Sequence, residues 1–521
     1  MEEKNNAPKE RAVGTVLFMM AATLLSKLLG MLRGILFAAV FETSVEANAF
    51  TVAAHIPLTC FDLLFSTAIL GCFIPEYAGF FGRGKAEKDE GDRYACIFLN
   101  TVVLLCSLLA LAGMLAARPL VFFTAPGLEE ETAELAVRLL RLLFPMIVFT
   151  GAAYTLVGVM QTNGRYFLPA MISAISNAGV IVYLLLFAPR LGEKAVWGLA
   201  IAYLGAWLLQ FLTLAVPLSM SGFRFRLLLD FRDPTLRATL KKLPPVIAGS
   251  WLMPVTVYSG IFFSSFLTDA VSVFDYAHNI YIILAGTLTY SLCNYLFPKL
   301  ARLKSSGKGG FAETTADSLR IALAVVLPFV AAVLVLYREG TAVLYLRRNF
   351  SVEAADLTAG LLRCMALGMP FFAVNELLSR AFYAEKKTFA PMLAALVGIA
   401  ANLASSVLLV LIRGQEAHLG LAYALGQAVS ALTLFVCFVR ENRGVISAAR
   451  RRSILWIGAS CLLALGTMAV VYRLFGNLPY EAGMPRNILC CAVVFLPGAV
   501  VYLAGLALGR RLFHRDSVSE R

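Results

Sequence analysis

Charged residues interrupt several long apolar stretches of the sequence, and their types suggest ligand binding rather than catalysis. Lys27 and Arg33 share the first stretch, where a helix would separate them by roughly 9 Å in depth and ~120° in direction. Such groups cost about 2.5–3.5 kcal/mol each in lipid and usually face a bundle interior or a water-filled cavity. Two cations bordering one wide cavity suit an anionic substrate, most simply a phosphate or pyrophosphate.

The second apolar stretch carries a polar row. His55, Thr59, Asp62 and Ser66 recur at helical spacing and therefore share one face. A buried Asp62 needs a cation, and Lys27 is the nearest candidate by depth. Two alternatives stay open: the Asp62–Lys27 pair is purely structural, or one cation of the first stretch snorkels or pairs with a backbone carbonyl.

Later stretches hold further polar candidates. Asp275 and Asn279 share a helix face. Asn375 and Glu376 are a candidate ion or counter-charge site, unless they make only a hydrogen bond between helices. Arg141 and Arg363 lie well inside their stretches, where they either close a cavity or anchor lipid headgroups.

The sequence lacks the motifs of common enzymes. It has no Gly-rich phosphate loop, metal-ligand cluster or nucleophile elbow, and its four histidines are scattered. The ten cysteines fall almost entirely inside apolar runs, without C-x-x-C spacing, and are expected to be packing residues. We therefore expect neither an enzyme nor a cofactor or metal site.

The composition identifies the solvent. Of 521 residues, 60% are apolar and 15% are charged, whereas soluble domains have ~45–50% and ~25%. That much apolar surface requires lipid. The net charge of +13 suits a membrane topology better than nucleic-acid binding.

The apolar stretches predict an all-α integral membrane protein of about fourteen transmembrane helices. The first stretch is too long and too charged for a cleaved signal peptide. The predicted spans are 12–41, 48–80, 94–116, 132–161, 166–188, 195–219, 244–267, 270–298, 321–337, 353–384, 388–412, 419–439, 453–472 and 487–509.

The distribution of Lys and Arg predicts the orientation. With a cytoplasmic N-terminus, segments on the inner side hold 30 cations and those on the outer side hold nine. This bias is the positive-inside pattern, and it places both termini and the basic segment 220–243 in the cytoplasm.

The chain also repeats itself. Short patterns recur in nearly one register, at offsets of 222–224 residues: F-x-x-A-x-x-I from Phe50 and Phe274, L-L-R ending at Arg141 and Arg363, and F-x-P from Phe167 and Phe389. Six helices separate the copies, so the repeat is parallel, as in one class of transporters. It predicts an N-lobe (1–219), a cytoplasmic linker (220–243), a C-lobe (244–440) and two further helices (453–510). His55 and Asn279 are repeat partners and would line a cavity between the lobes.

Several runs resemble the MurJ/MviN family of lipid II flippases, within the multidrug/oligosaccharidyl-lipid/polysaccharide exporter superfamily. The resemblance covers about residues 12–440, and its most specific run is T-A-P-G. The runs are S-K-L-L-G-M-L-R ending at Arg33, A-N-A-F from Ala47, F-I-P ending at Pro75, T-A-P-G from Thr124 and S-R-A-F-Y-A from Ser379.

The resemblance implies a multi-pass bacterial inner-membrane protein that moves lipid-linked peptidoglycan precursor to the outer leaflet by alternating access, in support of cell-wall synthesis and cell shape. In that family, cavity arginines bind the pyrophosphate and the last two helices form a groove for the polyprenyl tail. The matching positions here are Lys27 and Arg33, with Asn48, His55 and Asn279 lining the cavity. The implied partners are a lipid-linked anionic saccharide and membrane lipids, with an unidentified coupling ion and no nucleic acid.

The chain departs from the family pattern at its cations. Lys27 replaces an arginine, Phe61 and Asp62 stand where the family has paired arginines, and Asn279 stands where it has another. Three alternatives to lipid II transport remain: export of another polyprenyl-pyrophosphate-linked saccharide, drug/cation antiport, and a non-transporting scaffold.

The charge bias predicts which loops face the cytoplasm. A cysteine engineered at position 228 should react with a membrane-impermeant thiol reagent only from inside, and one at position 480 only from outside. The assay requires a background from which reactive native cysteines have been removed. Labelling of position 228 only from outside would contradict the topology.

Overall fold

Long helices follow the apolar stretches throughout the computed structural model, which describes residues 7–61, 69–80, 85–250, 252–305, 310–385, 387–411, 416–475 and 483–519. Every regular element within these ranges is helical. This is expected in lipid, where an α-helix satisfies its own backbone polar groups.

The α-helices differ widely in length, from one turn to ten, and three π-helical turns widen the chain between or beside them. In chain order the helices are α1 (Ala7–Phe41), α2 (Val45–Phe61), α3 (Ile74–Ala78), α4 (Lys85–Leu115), α5 (Ala117–Thr124), α6 (Glu130–Leu143), α7 (Met146–Thr162), α8 (Phe167–Leu186), α9 (Ala188–Leu191), α10 (Ala195–Met220), α11 (Pro234–Ser250), α12 (Leu252–Ser264), α13 (Ala270–Tyr281), α14 (Thr287–Ser305), α15 (Phe311–Tyr345), α16 (Val352–Ala366), α17 (Met369–Ala384), α18 (Phe389–Ser406), α19 (Glu416–Glu441), α20 (Ala448–Phe475) and α21 (Met484–Ser519). The π-helical turns are Ile69–Phe73, Ile282–Gly286 and Val407–Leu411.

The membrane class predicted from sequence is confirmed. Among the described residues, nine helices are long and apolar enough to cross a membrane, and two bent helix pairs raise the number to eleven. These correspond to the first, the third to sixth and the ninth to fourteenth predicted spans. The other three are 48–80, 244–267 and 270–298. The first two include residues 62–68 and 251, which lie outside the described residues, and the third contains the π-helical turn after α13. The count of fourteen therefore stays a prediction.

The chain divides into two compact units, Met1–Pro254 and Val255–Arg521. This division falls inside the predicted span 244–267, whereas the sequence repeat places a linker at 220–243. All of α11 thus belongs to the first unit. The lobe boundaries read from the repeat stay a prediction.

The basic segment between α10 and α11 is fixed to α4. The Asn100 side-chain amide donates hydrogen bonds to the carbonyls of Arg226 and Leu228, at 2.7 and 3.1 Å. The Tyr94 and Thr239 hydroxyls lie 2.7 Å apart. The predicted linker is therefore a packed part of the first unit.

Both units contain a sharply bent helix pair at the same position of the sequence repeat. α6 and α7 meet at 41°, and α16 and α17 meet at 50°. The first bend falls at Pro145, which has no N–H to continue the helix. The second falls at Gly368, followed by Pro370. Residues 145 and 368 differ by 223, within the range of the repeat offsets, which supports the internal repeat.

Ion pairs join separate segments of the chain within each unit. In the first, Lys242 pairs with Glu76. In the second, Glu385 accepts from both Lys304 and Lys387. Partial burial opposes ionisation of Glu385, but the two lysines outweigh it and lower the pKa of this carboxyl. These contacts fasten the ends of α14 and α17 to each other.

Gly113 allows α4 to pack against the bend between α6 and α7. A Cβ at this position would lie 2.0 Å from the Phe144 ring. We expect Gly113→Ala to lower the free energy of unfolding by about 1–3 kcal/mol through overpacking. Thermal unfolding of the detergent-solubilised protein measures this change.

Gly205 provides the matched control, because a Cβ there meets nothing within 4 Å. Gly205→Ala should be neutral or raise the unfolding temperature, since alanine favours a helix interior by about 1 kcal/mol. Equal unfolding temperatures for the two variants would contradict the packing argument.

Candidate functional site

Arg33 is the best-positioned cation of the first unit. It lies on α1, half-buried, and its Nη1 donates to Oδ1 of Asn177 on α8 at 3.0 Å. The Asn177 amide nitrogen donates to the Ser26 carbonyl at 3.3 Å. Ser26 and Arg33 lie two helical turns apart on one face of α1, so a single asparagine bridges α1 and α8 at two levels.

An aromatic ring supports the same guanidinium. The Arg33 Cζ lies 5.4 Å from the ring centroid of Tyr203 on α10, within cation–π range. Tyr203 packs edge-on against Phe50 of α2 at 5.0 Å, and Phe50 contacts Phe37 of α1 at 5.5 Å. Four helices of the first unit therefore determine where the Arg33 charge lies.

Lys27 lies on a different side of α1. It follows Ser26 directly, so its side chain points ~100° away from the face that meets Asn177, and it is exposed. The geometry agrees with the different directions expected for Lys27 and Arg33. The two cations thus belong to one helix but not to one narrow seam.

The other candidates on α2 have separate surroundings. Asn48 is 4% exposed, and its amide donates to the Thr43 carbonyl at 3.1 Å, close to the start of the helix. His55 is half-buried. Asp62 lies outside the described residues, so its proposed pairing with Lys27 stays a prediction.

In the second unit, Asp275 and Asn279 form a contact pair on α13. The Asn279 amide donates to the Asp275 carboxylate at 3.0 Å, as their shared helix face predicts. The adjacent His278 stacks on Phe274 at 5.8 Å, and its Nε2 lies 3.4 Å from the Tyr423 hydroxyl. These polar groups are half-buried against aromatic side chains.

Glu376 lies on α17 and is 7% exposed. Its carboxylate lies 4.0 Å from the Arg380 guanidinium, one turn away. The neighbouring Asn375 accepts a hydrogen bond from Ser430 of α19 at 3.1 Å. Asn375 thus makes the hydrogen bond between helices, whereas Glu376 lies beside a cation of its own helix.

The repeat partners Arg141 and Arg363 are both exposed but have different neighbours. Arg141 lines a cavity of about 330 Å³, together with Arg118 and Glu134. The Arg363 Cζ lies 4.7 Å from the Tyr337 ring centroid. The roles of these arginines in closing a cavity or anchoring headgroups stay predictions.

Sequence reasoning missed the residues that hold Arg33. An asparagine in the middle of an apolar helix, as at Asn177, was a usable signal because such amides commonly bond between helices. Tyr203 gave no signal, because an aromatic residue in an apolar stretch is ordinary. The described part of the chain contains no group of three His, Cys, Asp or Glu side chains placed to hold a metal ion.

Solved structures with the same fold are transporters. The chain superposes on lipid II flippase MurJ in an inward closed conformation with a TM-score of 0.78 at 22% identity, over 96% of this chain and 100% of that one. An inward-facing multidrug resistance MATE family transporter matches with a TM-score of 0.68 at 14% identity, over 83% and 99%. The chain therefore shares the fold of these two membrane transporters.

Within that class the sequence gives a particular family. The family model described as lipid II flippase MurJ matches residues 37–480, and the chain belongs to this family. Probable lipid II flippases MurJ of Bdellovibrio bacteriovorus and Rhizobium meliloti are 26% and 27% identical to it. These alignments cover 96% and 94% of this chain and 95% and 92% of the relatives. The resemblance noted in the sequence is confirmed.

Asn177 should matter to the stability of the first unit. Asn177→Ala removes the acceptor of Arg33 and the donor to Ser26, and leaves a half-buried guanidinium with one partner fewer. We expect a loss of about 1–3 kcal/mol in the free energy of unfolding, measured by thermal unfolding in detergent.

Thr213→Ala is the control for that experiment, because the exposed Thr213 hydroxyl bonds only within its own helix, to the Leu209 carbonyl. It should change the unfolding temperature little. An Asn177→Ala protein as stable as this control would show that the bridge between α1 and α8 contributes nothing.

Proposed function

We propose that this protein is a flippase that moves lipid II, the lipid-linked peptidoglycan precursor, from the inner to the outer leaflet of the bacterial inner membrane. Membership of the MurJ family over most of the chain supports this function, as do relatives named for lipid II flipping that match almost end to end. The protein is accordingly a transporter, and the peptidoglycan role follows from its substrate.

The observation that carries the chemistry is the support of Arg33. One of its N–H groups donates to Asn177 and its Cζ lies over the Tyr203 ring, and these two contacts restrict where the guanidinium can lie. A guanidinium has five donors, so one bond to Asn177 leaves donors for phosphate oxygens. A cation that is already oriented loses less side-chain entropy on binding. Arg33 is therefore our first choice for the pyrophosphate contact.

Lys27 is the second proposed phosphate ligand. Lys27 is exposed on α1, and an ammonium group can meet an anion as a point charge without the geometry of an arginine fork. Asn48, His55 and Asn279 would line the path of the headgroup. Asn48 and Asn279 already have hydrogen-bond partners of their own, so their contribution would be lining rather than charge.

The transport step would proceed by alternating access. Structural neighbours from the MOP superfamily have been solved in inward-facing and outward-facing conformations, as this mechanism requires. The headgroup would enter from the cytoplasmic leaflet and meet Lys27 and Arg33. The two basic termini and the segment 220–243 would lie in the cytoplasm. Helices α20 and α21 would provide the groove for the polyprenyl tail.

A second substrate is favoured by one observation. Phe61 and Asn279 occupy positions where the MurJ family has arginines, so this chain offers fewer cations to a pyrophosphate. Another polyprenyl-linked saccharide is consistent with that change.

Depletion and rescue in cells that lack their own lipid II flippase test the function and the residue together. The wild-type chain should restore growth. Arg33→Ala should abolish rescue at normal expression, and Arg33→Lys should retain part of it, because a point charge still attracts phosphate but loses the fork. Lys27→Arg should be tolerated or improve rescue.

Arg190→Ala is the control, because Arg190 is an exposed arginine at the end of α9. It should rescue fully. Full rescue by Arg33→Ala would refute the phosphate role of Arg33. Failure of the wild-type chain, when expressed in the membrane, would favour the other saccharide.

A further inference from the structure

A second group of arginines surrounds a cavity in the second unit, far along the chain from Lys27 and Arg33. The cavity measures about 540 Å³ and lies where α15, α20 and α21 meet. Arg320, Arg450 and Arg510 line it, one from each helix, together with Ser453 and Trp456. The volume is within the range of small-molecule sites.

Close helix packing builds one wall of this cavity. Gly505 and Gly509 form a G-x-x-x-G pair on α21, and a Cβ on either would lie 2.6 Å from Ser460 Oγ or 2.3 Å from the Trp456 ring. The Trp456 indole N–H donates to the Gly505 carbonyl at 2.7 Å. Backbones approach this closely in membranes through small residues, so the indole is fixed at the cavity rim.

The three arginines are held to different extents. Arg450 is fixed, because its Nε donates to Asp317 at 3.1 Å and its Nη1 to the Val445 carbonyl at 2.8 Å. Arg320 donates from Nη1 to Ser453 at 3.5 Å, a long contact. Arg510 is exposed. Among the described residues, one carboxylate thus pairs with one of the three arginines, and these residues leave the cavity with a positive charge.

The surface beside the cavity is apolar. Ile321, which lines the cavity, is 45% exposed, Leu455 is 67% exposed and Leu508 is 50% exposed. These residues lie on the same three helices. They are near the helix ends that carry the basic runs Arg450–Arg452 and Arg510–Arg511. In a membrane protein such side chains face acyl chains, whereas arginines and tryptophan belong to the headgroup level.

We propose that this cavity binds the phosphate headgroup of an anionic membrane phospholipid, whose acyl chains lie along α15, α20 and α21. Arg320 and Arg510 supply the charge, Arg450 closes one wall and Trp456 forms the rim. Basic pockets between membrane helices are suited to such headgroups. The site contains none of the residues proposed to contact the lipid II headgroup. It shares α20 and α21 with the proposed groove for the polyprenyl tail, but it does not rest on the proposed function.

Native mass spectrometry of the full-length protein in detergent tests the site, with phosphatidylglycerol as the probe and phosphatidylcholine as the neutral comparison. The wild-type protein should retain phosphatidylglycerol preferentially. Each arginine near an anionic headgroup is worth about fivefold in affinity, so the double variant Arg320→Gln, Arg510→Gln should bind about 25-fold more weakly.

Two variants separate the cavity from general surface charge. Arg511→Gln removes an exposed cation of the same helix end that does not line the cavity, and it should change binding little. Ala449→Phe fills the cavity without altering any charge, because Ala449 lines it and is exposed. It should weaken binding as the double variant does. Thermal unfolding without lipid checks that each variant is folded.

Three outcomes would overturn the proposal. Equal losses from Arg511→Gln and from the double variant would show only surface attraction. Unchanged binding by a folded Ala449→Phe protein would exclude the cavity. Equal stabilisation of the protein by inorganic phosphate and by phosphatidylglycerol would identify a soluble anion rather than a lipid.

Discussion

A guanidinium inside an apolar helix bundle must keep its donors satisfied, and the first unit depends on how this is done for Arg33. An asparagine can accept through its oxygen and donate through its nitrogen, so Asn177 serves the Arg33 side chain and the Ser26 carbonyl together. This arrangement fixes α1 against α8. Because Tyr203 lies over the same guanidinium, it also places α10 and, through Phe50, α2. The cation is thus a packing residue as well as a binding candidate.

Close contact between backbones provides the rest of the cohesion. In lipid no hydrophobic effect drives helices together. Small residues instead let the helices approach closely enough for dispersion contacts between them. A Cβ on Gly398 would meet Ser430 at 2.6 Å, and one on Gly426 would meet Asn402 at 2.7 Å, which joins α18 to α19. Gly30 leaves room for the Asn177 amide in the same way. Polar bridges and small residues therefore occur together at the helix crossings.

The sequence was sufficient for the class of fold and for most spans, because hydropathy over about twenty residues reports directly on burial in lipid. It did not show that 132–161 and 353–384 are bent, because a hydropathy window treats each as one stretch and takes no account of the backbone at Pro145 or Gly368. It also identified Arg33 as a candidate while missing Asn177 and Tyr203, which are 144 and 170 positions away. Such partners are set by tertiary packing, whereas Asp275 and Asn279, one turn apart, were paired correctly from spacing alone.

The π-helical turn Ile282–Gly286 changes how the following helix must be compared with its relatives. On an uninterrupted α-helix, Asn279 and Tyr290 would point within roughly 20° of each other. A π-helical turn absorbs one extra residue, so it shifts the direction of Tyr290 relative to Asn279 by about 100°. If a relative lacks one residue in this turn, its helix corresponding to α14 is therefore rotated about its axis and not shortened.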